Sequence, residues 1–198
     1  MQSLPAGSFI DSRAPMLSNR RFALPLFAAL ALLVLGLGTA ACGYKSDEEH
    51  VAEGESVYLG DLQFNVIFSR YLNPADTEDA AYLVGQPEPP KGETYFGVFL
   101  LVQNEENEPL PLPATATITD VDHQEYELVE SESLYAFPFG TEVEEQEQIP
   151  VLDSTPQQGP IEGSLALFLL PEAASENRPL TLHLANDEGD EVEIELDL

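Results

Sequence analysis

Carboxylates dominate the groups able to do chemistry in this chain, and two short runs place them in turns. Asp120 and Asp122 flank Val121, and Asp187, Glu188 and Asp190 surround Gly189. Hard cations such as calcium take six to eight oxygens, many of them from acidic turns. Asp120, Asp122, Asp187 and Asp190 are therefore the candidate ligands of a calcium-responsive module. The competing reading is that acid runs in loops are solvated surface. The histidines are His50, His123 and His183, and no nucleophile elbow, phosphate loop or zinc-protease motif accompanies them. With 36 acids in the chain, chance proximity deprives any one carboxylate pair of weight. No enzyme is expected and, calcium aside, no cofactor. Soft copper sites draw on Met, Cys and His. The two methionines, Met1 and Met16, both lie in the leader discussed next.

The only cysteine is Cys42, and its position carries more than its chemistry. Phe22 to Ala41 is an uncharged run preceded by Arg20 and Arg21, and Cys42 stands where it stops. A basic start, an apolar stretch and small residues at its end make a secretory signal. The run is also long enough to span a bilayer as an uncleaved anchor. Thr39-Ala40-Ala41-Cys42 resembles the lipobox of bacterial lipoproteins. That resemblance implies that Cys42 receives a diacylglycerol and becomes the new N-terminus. Two acyl chains give stable anchoring where one is marginal. Asn19 to Leu24 also resembles a twin-arginine export signal, so both the general and the twin-arginine routes stay open. Either route puts the remainder at the extracytoplasmic face of the cell membrane.

The domain organisation follows. Residues 1–41 read as signal peptide, 42–56 as lipidated cysteine and flexible tether, and 57–198 as the folded domain. The whole chain carries a net charge of −29. Residues 42–198 keep four bases, Lys45, Arg70, Lys91 and Arg178, against 35 acids, for a net −31. Such a surface is repelled by nucleic acid and by anionic lipid headgroups. Its natural partner is an envelope protein with a basic surface, since complementary charge speeds encounter. The same composition also fits work in high salt, where self-repulsion is screened.

The elements that must position these groups read as strands. Leu62, Phe64, Val66 and Phe68 share one face, with Gln63, Asn65 and Ser69 opposite. Tyr95 to Asn104 is apolar on both faces, as a central strand of a sandwich is. Ser164 to Leu170 is a second buried strand, stopped by Pro171. Leu182 and Ile194 must face inward together, which fixes an odd loop of three or five residues within 186–190, with Gly189 at positive φ. His183 then lies opposite Glu191 or Glu193 on the solvent face, where a solvated role is expected. Asn73 to Leu83 has the signals of one or two helical turns. It lies in one of two long connections, 71–94 and 130–160. Loops of that length in compact domains carry function or move. Tyr135, Phe137 and Phe139 read first as rings that cap the open end of the sandwich; the alternative makes them, with Tyr82 of the other loop, the candidate partner contacts.

The order of these segments resembles a family of bacterial surface lipoproteins with an immunoglobulin-like domain of the telokin-like, Mpr-protein-like kind. The matching pieces are Val57 to Gly60, Gly92 with Tyr95 to Asn104, Ile118-Thr119-Asp120 followed by Tyr126, and Gly163 to Pro171. Where the family has glycine shortly after the aspartate, this chain has Asp122-His123-Gln124. The resemblance implies an all-β, immunoglobulin-like antiparallel β-sandwich on a lipid tether that contacts other proteins, and it carries over no catalytic residue.

Overall fold

The computed structural model describes residues 48–196. The signal segment 1–41, Cys42 and residues 43–47 lie outside the described residues. Among the described residues no helix is long and apolar enough to cross a membrane. The strands are β1 (Glu48–Ala52), β2 (Ser56–Leu59), β3 (Leu62–Leu72), β4 (Glu93–Asn104), β5 (Leu110–Pro111) and β6 (Ala116–Thr119). They continue with β7 (Glu125–Val129), β8 (Glu142–Val143), β9 (Gln148–Ile149), β10 (Ser164–Pro171), β11 (Leu180–Ala185) and β12 (Glu191–Leu196).

The result is an antiparallel β-sandwich. One sheet runs β1-β12-β11-β6-β7 and the other β10-β4-β3-β2, with β9 on β4. β7 belongs to both, pairing with β6 through Glu125 to Glu127 and with β10 through Leu128 and Val129. β5 and β8 form a separate two-stranded ribbon.

The flexible tether expected over 42–56 is corrected at its C-terminal half. Glu48 to Ala52 pairs in parallel with Glu191 to Glu195 of β12. Without β1 that edge would present a row of unpaired backbone groups, and Val51 packs against the core besides. The chain then turns at Gly54, whose φ of +87° favours glycine. Glu53 N–H donates to Glu195 O at 2.7 Å and Gly54 N–H to Val66 O at 2.9 Å, so this corner stitches one sheet to the other.

Side-chain alternation explains why β4 is apolar on both faces. Phe96, Val98, Leu100 and Val102 point into the sandwich with Phe64, Ile118, Phe168, Leu182 and Ile194. Tyr95 and Phe99 point the other way and form a second core with Leu72, Tyr82, Leu83, Leu165 and Leu167. The connection 71–94 supplies Tyr82 and Leu83 to this layer, and Tyr135 of the connection 130–160 packs against it. They cover part of the outer face of the second sheet instead of hanging free.

Two further expectations change. Phe68 does not share a face with Leu62, Phe64 and Val66, because a β-bulge at Ile67 breaks the period-two pattern. Val66 pairs with Leu100 and Phe68 with Phe99, so Phe68 turns outward and is 42% exposed, while Ser69 turns in. The helix expected over 73–83 is a single 3-10 turn at Asp79–Ala81. The hairpin reading stands. Ala185 pairs with Glu191 across a five-residue loop, Gly189 has φ +92°, and His183 lies opposite Glu193.

Candidate functional site

The two acidic turns are built from inside. Asp120 is only 4% exposed. Its Oδ1 accepts the N–H groups of Asp122 at 2.9 Å and Gln124 at 3.0 Å, and its Oδ2 accepts the Tyr126 hydroxyl at 2.9 Å and the Asn177 amide at 3.4 Å. Burial alone would raise the Asp120 pKa, but these four donors together hold it below the usual carboxylate value. Burial, and then the neighbouring carboxylate, push the Tyr126 phenol up to about 12. His123 takes φ +59° in this turn, the left-handed conformation a glycine would supply.

In the second turn Asn186 is the organiser. Its Oδ1 accepts from Glu188 N–H at 3.0 Å and Asp190 N–H at 2.9 Å, and its Nδ2 donates to Asp190 Oδ2 at 2.9 Å. The two turns lie at opposite ends of β11, since Thr119 pairs with Thr181 while Ala185 leads into Asn186. The structure therefore does not bring Asp120, Asp122, Asp187 and Asp190 together. Among the described residues no group of three His, Cys, Asp or Glu side chains is placed to hold a metal ion. Turn N–H groups occupy the Asp120 Oδ1, and side chains from outside the turn, Tyr126 and Asn177, occupy its Oδ2.

Of the partner-contact candidates, Tyr82 and Phe137 are buried, which removes them as contacts, while Tyr135 and Phe139 are partly exposed. Tyr82 is fully buried, its ring 5.1 Å from Phe99 and 4.8 Å from Tyr135, with its hydroxyl accepting Ile161 N–H at 3.3 Å. Tyr135 is half-buried beside it. Phe137 is buried in the sandwich core, and Phe139 packs on it with ring centroids 4.6 Å apart. Tyr82 and Tyr135 thus join the two long loops, while Phe137 and Phe139 line one wall of a groove of 610 Å³. Two more links fasten the loops: Ser133 Oγ donates to Ala81 O at 2.8 Å and Gln86 Nε2 to Glu130 O at 2.7 Å. Beneath them the buried Asp79 carboxylate receives the Arg70 guanidinium and, at 2.7 Å, the Asn73 N–H. No residue pattern marks this ion pair, because 35 acids in residues 42–198 hide the one that matters.

The solvent face of the first sheet carries a row of His50, Glu193 and His183 on neighbouring strands. His50 Nδ1 is 3.3 Å from Glu193 Oε2 and His183 Nδ1 is 3.6 Å from Glu193 Oε1. His183 Nε2 lies 2.7 Å from Thr119 Oγ1. Hydroxyl, imidazole and carboxylate are thus in sequence, as in a hydrolytic triad. Acyl transfer also needs donors aimed at a developing oxyanion. Here β12, β11 and β6 are each paired on both sides, which commits their backbone N–H groups to the ladder, while β1 is the sheet edge.

The feature that sequence reasoning missed is on the outer face of the second sheet, beyond the loop layer. Tyr58 pairs with Gln63, Gln63 with Gln103, and Gln103 with Gln148. The four side chains form a row across β2, β3, β4 and β9. Asn65 and Leu101 form the next step along the strands. Tyr58 is 51% exposed. Gln63 Nε2 donates to the Tyr58 hydroxyl at 3.2 Å, Asn65 Nδ2 to Gly54 O at 3.0 Å and Gln148 Nε2 to Pro150 O at 3.1 Å. The outward positions of these strands from Ser56 to Phe68 and from Leu101 to Gln103 hold no charge. The usable signal was the amide at every second position of Gln63-Phe64-Asn65 and at Gln103.

No protein-family model matches the chain, and no curated protein matches it. Solved structures with a similar course include an uncharacterised β-sandwich protein from Clostridium difficile 630, at 13% identity and TM-score 0.45 over 76% of this chain and 95% of that one. The ycdA protein of Bacillus subtilis, a candidate lipoprotein, aligns at 12% and 0.44 over 73% of this chain and 38% of its own. The secreted MPT63 of Mycobacterium tuberculosis aligns at 11% and 0.45 over 74% and 95%. The sandwich assignment rests on the strand register and the shared core described above.

Proposed function

We propose that this protein is a non-catalytic binding module of the cell envelope, anchored by a diacylglycerol on Cys42 and displayed outside the cytoplasmic membrane. The observation that carries the reading is the sequence distance between the one cysteine and the fold. Cys42 ends the apolar run, and β1 begins at Glu48. Fully extended, the chain between them reaches about 20 Å. A lipid on Cys42 would hold the sandwich close above the bilayer.

Charge fits such a stance. The end where β1 begins also holds the 186–190 turn, with Asn186 Nδ2 only 3.2 Å from where a side chain at Gly60 would start. Arg70, Lys91 and Arg178 belong to the opposite end, near the start of β4 and β11. An acidic end turned toward anionic headgroups keeps the domain off the surface, so the lipid alone binds the membrane. The remaining acidic surface suits an envelope protein with a basic face.

The test is fractionation of cells expressing the full chain. Wild type is expected in the membrane fraction and resistant to extraction by high salt. Cys42→Ser is expected to lose lipid and to remain unprocessed at its leader. A Cys42→Ser chain processed and lipid-labelled like wild type would overturn the proposal.

A further inference from the structure

We propose that the uncharged outer face of the second sheet, centred on Gln103, is a binding platform for a neutral polysaccharide. This goes beyond the anchoring and the basic protein partner, and neither is needed for it. Three observations converge. The first is charge exclusion: in a chain with 36 acids, Tyr58, Gln63, Asn65, Leu101, Gln103 and Gln148 form a contiguous face without one. A basic or nucleic-acid ligand would gain nothing from it.

The second is the pattern of donors and acceptors. A primary amide offers two N–H donors and a carbonyl acceptor on one short arm, which matches hydroxyls that both donate and accept. Neighbouring strands lie about 4.8 Å apart, so the Tyr58–Gln63–Gln103–Gln148 row extends over about 14 Å. The Gln103 amide at its centre makes no side-chain hydrogen bond to another described residue, while Gln63 and Gln148 are each held by one bond that leaves their carbonyls open.

The third is shape and an aromatic end. A shallow depression of 130 Å³ lies among Ser56, Gln63, Asn65, Leu101 and Gln103. A larger one of 390 Å³ begins at Gln103 and Gln148, runs toward the exposed Val151 and Leu152, and carries Glu105 and Glu147 in its lining, so the uncharged platform ends at Gln103 and Gln148. Tyr58 closes the row with an exposed ring tethered through its hydroxyl, a surface suited to the apolar C–H face of a sugar. Strand residues cannot swing as loop residues do, so the platform is already in place.

The test is native affinity electrophoresis of the full chain in detergent, through gels holding a neutral β-glucan, a glucomannan or a galactan. Retardation by at least one of them is expected, unchanged between 0.1 and 1 M salt because no ion pair is involved. Gln103→Glu is expected to weaken it about tenfold, the cost of about one mispaired polar group. Tyr58→Ala is expected to weaken it as well, and thermal melting checks that both variants stay folded. No retardation in any of the three gels overturns the proposal. So does retardation that Gln103→Glu leaves unchanged, or a concentration-dependent dimer that Gln103→Glu abolishes, which would assign the face to a second copy of the chain.

Discussion

Tyr126 donates its hydroxyl to Asp120 at 2.9 Å, closing the turn between β6 and β7 from the far side. Two backbone N–H groups bind the other oxygen, so one buried carboxylate holds both strand ends. Asp120→Ala strands these donors, and we expect a loss of about 2 kcal/mol in chemical denaturation. Tyr126→Phe should cost about 1 kcal/mol. The sign with pH follows from the lowered Asp120 pKa: its stabilisation is complete above the unfolded aspartate value, about 4, and is lost as pH falls through the folded value. The gap in melting temperature between wild type and Asp120→Asn should therefore be widest near neutrality and shrink below pH 4.

The loop layer depends on a charge that sequence alone did not single out. Arg70→Met leaves the Asp79 carboxylate buried without its guanidinium, and we expect about 3 kcal/mol of destabilisation. Arg70→Met combined with Asp79→Leu should recover most of that. Limited proteolysis provides the second readout. Cleavage within 73–92 should speed up in Arg70→Met and slow again in the double variant.

Gly97 sits where no side chain fits. A Cβ there would lie 2.8 Å from Leu165 Cδ1 and 3.1 Å from Leu72 Cδ1, in the core shared by β4, β10 and the loops. Gly97→Ala is expected to cost about 1–3 kcal/mol by overpacking. Its thermal melt gives the answer, and Leu165→Ala in the same background should relieve part of the strain.

The corner between the sheets yields a further prediction. Glu53 accepts both the N–H and the hydroxyl of Ser69, a residue turned inward by the bulge at Ile67. Glu53→Ala should lower stability by about 2 kcal/mol, because two buried donors lose their acceptor. Glu53→Gln should retain part of it. Urea denaturation of the two variants side by side measures the difference.

What the sequence disclosed was periodicity, and it failed where periodicity is interrupted. Leu182 and Ile194 fixed the parity of the last hairpin, and the loop has five residues with Gly189 at positive φ. Phe68 was misplaced because a bulge shifts register by one residue without a marker in residue type. Glu48 to Ala52 read as tether because an edge strand drawn in by a free sheet edge needs little apolar content of its own. Tyr82 and Phe137 were aromatic residues in loops, and nothing in the chain said that the loops fold back over a sheet face. The Gln63–Gln103–Gln148 row joins residues distant in sequence through strand pairing, which one sequence does not display.

Whether Cys42 carries a lipid is decided by the mass of the mature N-terminal peptide. Protein purified from membranes in detergent and digested should yield a peptide beginning at residue 42 and carrying a diacylglycerol. A chain that retains residues 1–41, or one that carries Cys42 as a free thiol, would contradict the account.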